Sequence, residues 1–116
     1  MNGYRQTLRR LAVRDDRLID TILGCESRGA TPPGLDPRSL ALVRLGALIA
    51  VDAAPASYLE AVDAARTAGA TDDEIVGSLV SVVTLIGVPR AVSAAPKLSL
   101  AVGYDVDAGL ERFEDE

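Results

Sequence analysis

The chemically useful side chains of this sequence are few, and two arginines lead them. Arg44 is the only charged residue between Leu40 and Val51, and a guanidinium in apolar surroundings can hold a carboxylate through two hydrogen bonds. Arg90 follows the break at Gly87 to Pro89 and could guard the entrance to the same pocket. The alternative, which we favour, is that both arginines are solvated, with Arg44 extending to the surface or pairing with an acid across an interface.

Three neighbouring residues could supply hydroxyl and carboxyl groups to a substrate. Ser57 and Tyr58 carry hydroxyls, and Glu60 would serve as an acid or base if burial shifted its pKa. Each has a structural alternative that we favour. Tyr58 shares an apolar helical stripe with Val62, which predicts packing in a core or interface, and Glu60 shares a stripe with Asp63 that predicts a solvated face.

The sequence contains no histidine and one cysteine, Cys25. Histidine bases, Ser-His-Asp triads and histidine metal ligands are therefore excluded, as are an intrachain disulfide and a C-x-x-C redox pair. Cys25 lies beside Glu26, with no evident cation to activate its thiol, so we expect an inert thiol. We expect no metal, no redox site and no cofactor.

Charge and hydropathy also narrow the partners. The chain has 12 basic and 17 acidic residues, and its arginines form no basic face, so we expect no nucleic-acid partner. The acidic end, Glu111 to Glu116, is interpreted as a solvated tail. The longest apolar stretch, Leu79 to Val88, is too short to span a bilayer, and no apolar segment of a secretory leader follows the first arginines. These features predict a cytoplasmic protein that does not enter a membrane.

Length and composition predict one domain over residues 1–116. Hydrophobic residues make up 48% of the chain but aromatic residues only 3%, so the core must be built from alanine, valine, leucine and isoleucine. A chain this short and this apolar often hides part of its surface between subunits. We therefore expect a homo-oligomer.

Hydrophobic periodicity and capping residues predict an all-α fold of about six helices. The first runs from Tyr4 to Leu23, with Gly24 ending or weakening it, and a proline-rich loop follows at residues 27–34. Asp36 caps the second helix, which has Pro37 in its first turn. This helix is apolar nearly all round, which is typical of burial on more than one side.

The remaining helices are predicted from their start and stop residues. They run from Pro55 to Ala68, from a capping box at Thr71 to about Ile86, from Pro89 to Val102, and from Asp105. The stretch LVSVVTLIGV is rich in β-branched residues and could be a buried strand, but the capping box at Thr71 favours a helix. Pro96 is expected to kink or split its helix.

Three segments in this order carry a resemblance: LDPRSLALVRLGAL, AGATDDEIVGSLVSVV and GVPRAVSAAP. Together they resemble the carboxymuconolactone decarboxylase family, which includes the alkylhydroperoxidase D-like proteins, over Leu35 to Val102. The resemblance implies an all-helical domain that assembles as a trimer or hexamer with sites near subunit interfaces. It divides the chain into an N-terminal helix (1–26), a loop (27–34), the family core (35–104), and a C-terminal helix with an acidic tail (105–116).

The hydroperoxidase branch of that family carries C-x-x-C-x-x-x-H on the third helix. The equivalent positions here are Ala54, Ser57 and Ala61, which share one helical face. A disulfide cycle needs two sulfurs, so two-cysteine peroxidase activity is not expected. The decarboxylase branch needs no thiols, although the histidine common in its equivalent helix is replaced by Ala61.

The resemblance thus implies decarboxylation or isomerisation of a small carboxylated lactone or ring compound, if the protein is catalytic. Arg44 would orient the anion, Ser57 and Tyr58 would support it, and Arg90 and Glu60 would contribute to substrate binding. The alternative is a non-catalytic helical oligomer that serves as an assembly or small-ligand binding module. A less favoured third class is a thiol hydroperoxidase using Cys25. If the protein is an enzyme, we expect a cavity with at least one buried arginine. If it is an assembly module, we expect no polar cavity and an interface filled by Ala54, Ser57, Ala61 and neighbouring aliphatic residues.

Overall fold

The computed structural model describes residues 3–27 and 34–104, and over these residues the chain forms six helices and no strand. The predicted all-α class is confirmed. The helix expected from Asp105 and the acidic tail lie outside the described residues. No helix in the described ranges combines the length and hydropathy needed to cross a membrane. The chain divides into two compact units, Met1–Leu35 and Asp36–Glu116.

The first unit contains two helices, α1 (Tyr4–Ala12) and α2 (Asp16–Ser27), so the prediction of one helix from Tyr4 to Leu23 is wrong. The chain breaks at Arg14, which has a left-handed backbone with φ of 54°. Gly24 does not end a helix, because α2 passes through it to Ser27.

Asp15 explains the break between α1 and α2. Its carboxylate accepts backbone hydrogen bonds from Arg17 at 3.0 Å and Leu18 at 3.3 Å, as a helix N-cap does. It also accepts a hydrogen bond from Arg10 at 2.8 Å. Donation by Arg10, followed by the Leu18 N–H, lowers the pKa of the Asp15 carboxyl. A new helix therefore starts inside a stretch whose hydrophobic period continues across the break.

The second unit contains four helices, α3 (Pro37–Ala50), α4 (Pro55–Thr67), α5 (Asp72–Ile86) and α6 (Val88–Val102). Their predicted caps are confirmed. The Asp36 carboxylate accepts a hydrogen bond from the Ser39 N–H at 3.2 Å, and Pro37 occupies the first turn of α3. Thr71 and Glu74 form the reciprocal capping box at the start of α5.

Glycines end both α5 and α6, and α6 contains a proline in its interior. The β-branched stretch is helical up to Ile86, so the strand alternative is wrong. Gly87 is the single residue between α5 and α6. Its φ of 90° is a backbone conformation that residues other than glycine disfavour. Pro96 lies inside α6 without splitting it, and α6 ends at Gly103 in the left-handed conformation.

The four helices pack as two pairs around one aliphatic core. Helix α3 packs against α4 and α5, and α6 also packs against α4 and α5, whereas α4 and α5 face each other across a diagonal with little contact. The one aromatic residue of the core is Tyr58. The core consists of Ala41, Leu45, Ile49, Tyr58, Val62, Ala65, Ala70, Ile75, Leu79, Ala94, Leu98 and Ala101.

Ion pairs fix how the helix ends meet. Arg66 lies 3.0 Å from an Asp72 carboxylate oxygen and donates to the Val102 carbonyl at 2.8 Å, which joins the last turns of α4 and α6 to the start of α5. Arg38 lies 3.5 Å from Glu74 and joins the first turns of α3 and α5. Helices α3 and α5 therefore begin at the end of the unit where α4 and α6 finish.

Candidate functional site

The most connected polar side chains of the second unit surround the turn between α3 and α4. Asp52 lies in this turn with a left-handed backbone, φ 55°. The Lys97 Nζ lies 2.9 Å from the Asp52 Oδ1 and 3.1 Å from the Ala53 carbonyl oxygen, and the Ser93 hydroxyl donates to the same Oδ1 at 3.3 Å. We call Asp52, Arg90, Ser93 and Lys97 the turn cluster.

Arg90 completes the turn cluster from the first turn of α6. Its guanidinium donates to the Ala50 carbonyl at the end of α3. The last carbonyls of a helix lack partners within the helix and carry partial negative charge, so a cation there is favourable. Arg90 and Lys97 together hold α6 against the exposed carbonyls of the α3–α4 turn, which is a structural role distinct from the predicted substrate contact.

The electrostatics of the turn cluster keep Asp52 ionised at neutral pH. Hydrogen bonding and charge from Lys97 are the largest causes, and donation by Ser93 and the charge of Arg90 add to them. All of these lower the pKa of the Asp52 carboxyl. Two cations face this one carboxylate, so the cluster retains an excess of positive charge.

Tyr58 lies in the core beside the turn cluster. Its side chain is 0% exposed, which confirms the predicted packing in a core. Within the described part of the chain, its hydroxyl has no hydrogen-bond partner. Burial raises the pKa of the phenol above the ordinary 10.0, and the charge of Lys97 opposes that effect. The phenol therefore stays protonated at neutral pH.

The five predicted site residues occupy different surroundings in the described part of the chain. Tyr58 and Arg90 lie near enough to Asp52 to interact electrostatically with its carboxylate. Arg44 and Glu60 lie on exposed faces of α3 and α4, as the solvated alternatives predicted for them. Ser57 is half-buried on α4. The catalytic and binding roles of these five residues stay predictions.

Sequence reasoning missed Asp52, Ser93 and Lys97. A signal for the last two was present, since Arg90, Ser93 and Lys97 recur at positions i, i+3 and i+7 of a predicted helix and so share one face. Nothing local showed that this face would meet Asp52, because the two segments are more than forty residues apart.

A second feature of the unit is an open apolar groove between α3 and α5, with a volume of about 590 Å³. A side-chain carbon placed on Gly77 would meet no atom within 4 Å, and one on Gly46 would meet Val82 at 3.7 Å. Glu74 is its one charged lining residue, and Arg38 lies 3.5 Å from it. The lining residues are Leu42, Val43, Gly46, Ala47, Glu74, Gly77, Ser78, Ser81 and Val82.

The groove exposes apolar surface of α3 that we predicted from the sequence to be buried. Helix α3 was predicted to be buried on more than one side, yet Val43 is 58% exposed and only the stripe of Ala41, Leu45 and Ile49 is buried. Helix α3 therefore packs against α4 and α5 through this stripe, while the face that carries Val43 is exposed in the described part of the chain. Val80 on α5 is 66% exposed.

Cys25 is a half-buried free thiol in α2. Across residues 3–27 and 34–104, no three cysteine, aspartate or glutamate side chains are grouped so that they could hold a metal ion.

No protein-family model, no curated protein and no solved structure matches this chain. The resemblance to the carboxymuconolactone decarboxylase family therefore stays a prediction.

Proposed function

We propose that this protein is a non-catalytic helical module that assembles with further copies of itself. The observation that carries the proposal is the groove between α3 and α5, an apolar surface whose lining includes the exposed side chain of Val43. Exposed apolar surface of this kind is typical of protein–protein contacts. A second copy is the occupant we favour because, among the described residues, the one charged side chain that lines the groove is Glu74, and Arg38 already lies 3.5 Å from it.

The polar residues of the unit favour assembly over catalysis. Among the described residues, no charged side chain is buried, whereas an enzyme for a small anion is expected to place a cation in a closed pocket. Arg44, the predicted anion-holding residue, is exposed. The cations of the turn cluster, Arg90 and Lys97, donate to carbonyls of the α3–α4 turn and so already have a structural task.

The mass of the protein in solution tests the assembly proposal. One chain has a mass of 12.1 kDa, and we expect light scattering or sedimentation equilibrium to give a multiple of that value that falls as the protein is diluted. The family resemblance implies a trimer or hexamer. A mass of one chain at every concentration up to the sub-millimolar range would overturn the proposal.

The second candidate function is the carboxy-lyase or isomerase implied by the family resemblance. What favours it is the excess positive charge of the turn cluster, which lies beside the Tyr58 phenol and could attract a small carboxylate. In decarboxylation the bond to the carboxylate carbon breaks, carbon dioxide leaves, and a proton replaces it on the ring carbon. In this candidate the Tyr58 phenol, which is protonated at neutral pH, would donate that proton once the substrate gained access to it.

Turnover of small carboxylated lactones, followed by carbon dioxide release, tests this second candidate. Loss of turnover in Arg44→Ala would support the site predicted from the sequence, while loss in Lys97→Met with Arg44→Ala unchanged would move the site to the turn cluster. Absence of turnover in the wild-type protein across a panel of such lactones would leave assembly as the function.

A further inference from the structure

We infer that the groove between α3 and α5 receives the Leu85 side chain of a second copy in a two-fold symmetric contact. This inference rests on the proposed function, because it names the surface through which copies would assemble. It adds the residue that inserts, the surface that receives it and the symmetry of the contact.

Leu85 is the inserting residue because the described part of its own chain leaves it almost uncovered. It is 83% exposed, more than any other large hydrophobic residue in the described part of the chain. Glu74, Ser78, Ser81 and Leu85 recur at i, i+4, i+7 and i+11 along α5, so Leu85 extends the line of residues that forms the groove wall. An exposed leucine and an apolar groove therefore lie on the same side of one helix.

The groove suits an aliphatic side chain. Its volume of about 590 Å³ exceeds that of a leucine side chain several times over, so the neighbouring turns of a helix can enter with it. The Ser78 hydroxyl donates to the Glu74 carbonyl at 3.4 Å, so this polar group is already satisfied within α5. Glycine and serine along α5 let a second helix approach closely, and the part of α5 from Ile75 to Ile86, which includes Leu85, carries no charge.

A two-fold axis follows from the position of both features on one face. In a two-fold contact, residue i of one chain meets residue j of the other and the reverse, so each Leu85 enters the other groove and no feature is left unfilled. A head-to-tail contact would have to close into a ring of three or more copies to fill every groove, and otherwise would grow into a filament with one groove and one leucine open at its ends. The smallest assembly with this contact is a dimer, and a hexamer built from dimers contains it too.

Two variants remove the two halves of the contact. Leu85→Ser removes the inserting side chain from an exposed position, and Gly77→Leu fills the groove at a site where added atoms meet open space. Because a two-fold contact loses two leucines at once, we expect each variant to raise the dissociation constant by about a hundredfold or more. Leu100→Ser, on α6 and 61% exposed, is the matched control and should leave it unchanged.

Mixing the two variants gives the decisive result. Neither assembles well alone, but the Gly77→Leu copy still has its Leu85 and the Leu85→Ser copy still has its open groove. We expect a mixed dimer, seen by light scattering and by energy transfer between labelled variants, with affinity between those of the wild type and of either variant. Circular dichroism checks that both variants are folded, and if Gly77→Leu is not, Ser81→Leu fills the groove from an exposed position instead.

The outcomes separate this inference from the proposed function. A wild-type protein that stays monomeric overturns both. A wild-type oligomer that survives Leu85→Ser and Gly77→Leu overturns the inference alone, and loss of assembly in Leu100→Ser would move the contact to α6. Variants that fail to assemble alone and also fail when mixed would exclude the exchange of Leu85 between grooves.

Discussion

Tyr58 shows how a single residue can fit a core by shape but not by polarity. Its ring fills space among aliphatic side chains, while its hydroxyl has no hydrogen-bond partner in the described residues. A buried polar group without a partner destabilises the folded state. We expect Tyr58→Phe to raise the free energy of unfolding by about 1 kcal/mol, measured by urea denaturation.

Tyr104→Phe serves as the control for that experiment, because Tyr104 is exposed and its change should leave the free energy of unfolding unaltered. If Tyr58→Phe instead lowered stability, the phenol would have a partner in solution, and a role for its hydroxyl in binding would gain support.

The lowered pKa of Asp52 leads to a second prediction at the scale of one residue, on how stability depends on pH. Because the turn cluster lowers its pKa in the folded state, the unfolded chain binds more protons than the folded chain in acid. The Asp52 carboxylate stabilises the folded state fully above about pH 3.9, the pKa of an aspartate in the unfolded chain. This stabilisation is lost as the pH falls through the lower pKa that the carboxyl has in the folded state. We therefore expect Asp52→Asn to be less stable than the wild type at neutral pH, with the difference shrinking below about pH 4.

Asparagine is the right substitution because it also tolerates the left-handed backbone at position 52, so the charge changes while the turn does not. Lys97→Met removes the opposite charge and provides the second arm of a double-mutant cycle, followed by urea denaturation at each pH. A difference that stayed constant from neutral pH into acid would show that the ion pair does not form in solution.

At the scale of the helix, the capping box of α5 gives a prediction of known size. The Thr71 hydroxyl accepts from the Glu74 N–H at 3.1 Å, and the Glu74 carboxylate accepts from the Thr71 N–H at 3.0 Å. We expect Thr71→Ala to lower the free energy of unfolding by about 1 kcal/mol. Thr71→Ser keeps the hydroxyl and should stay close to the wild type in the same denaturation experiment.

The predictable part of the fold was the part set by neighbours in the sequence. Asp36 and Thr71 mark helix starts through bonds to residues a few positions away, so their roles were correct from sequence. The break at Arg14 was missed because apolar residues keep a helical period across it. Asp15, an N-cap residue between charged neighbours, was the local signal.

The candidate site was predictable only in part, since its contacts join distant segments. Tyr58 was placed correctly in the core from its stripe with Val62. The contact of Lys97 with Asp52 and the seam of Gly46 against Val82 depend on how whole helices pack, and no spacing within one helix encodes that. Arg44 was proposed to hold a substrate carboxylate because it is the lone charge in an apolar helix. The structure places it at an exposed position, which was the alternative that the sequence analysis favoured.

At the scale of the whole molecule, assembly should connect stability to concentration. Partners that bind only the folded chain raise its apparent stability by mass action. We expect the Tm of the wild-type protein to rise with protein concentration and that of Leu85→Ser to rise much less, as measured by differential scanning calorimetry. A Tm independent of concentration in the wild type would contradict self-association.

The diagonal placement of α4 and α5 has a consequence for the order of folding events. Helix α3 packs on α4 and α5 packs on α6 across short turns, whereas α4 and α5, though consecutive, have little contact. Each hairpin closes a short loop, a step on the order of microseconds or less, while the core is complete only when the two hairpins dock. We therefore expect the slow step of folding to be the docking of the two hairpins, with its rate set by the seam where they meet, α3 on α5 and α4 on α6.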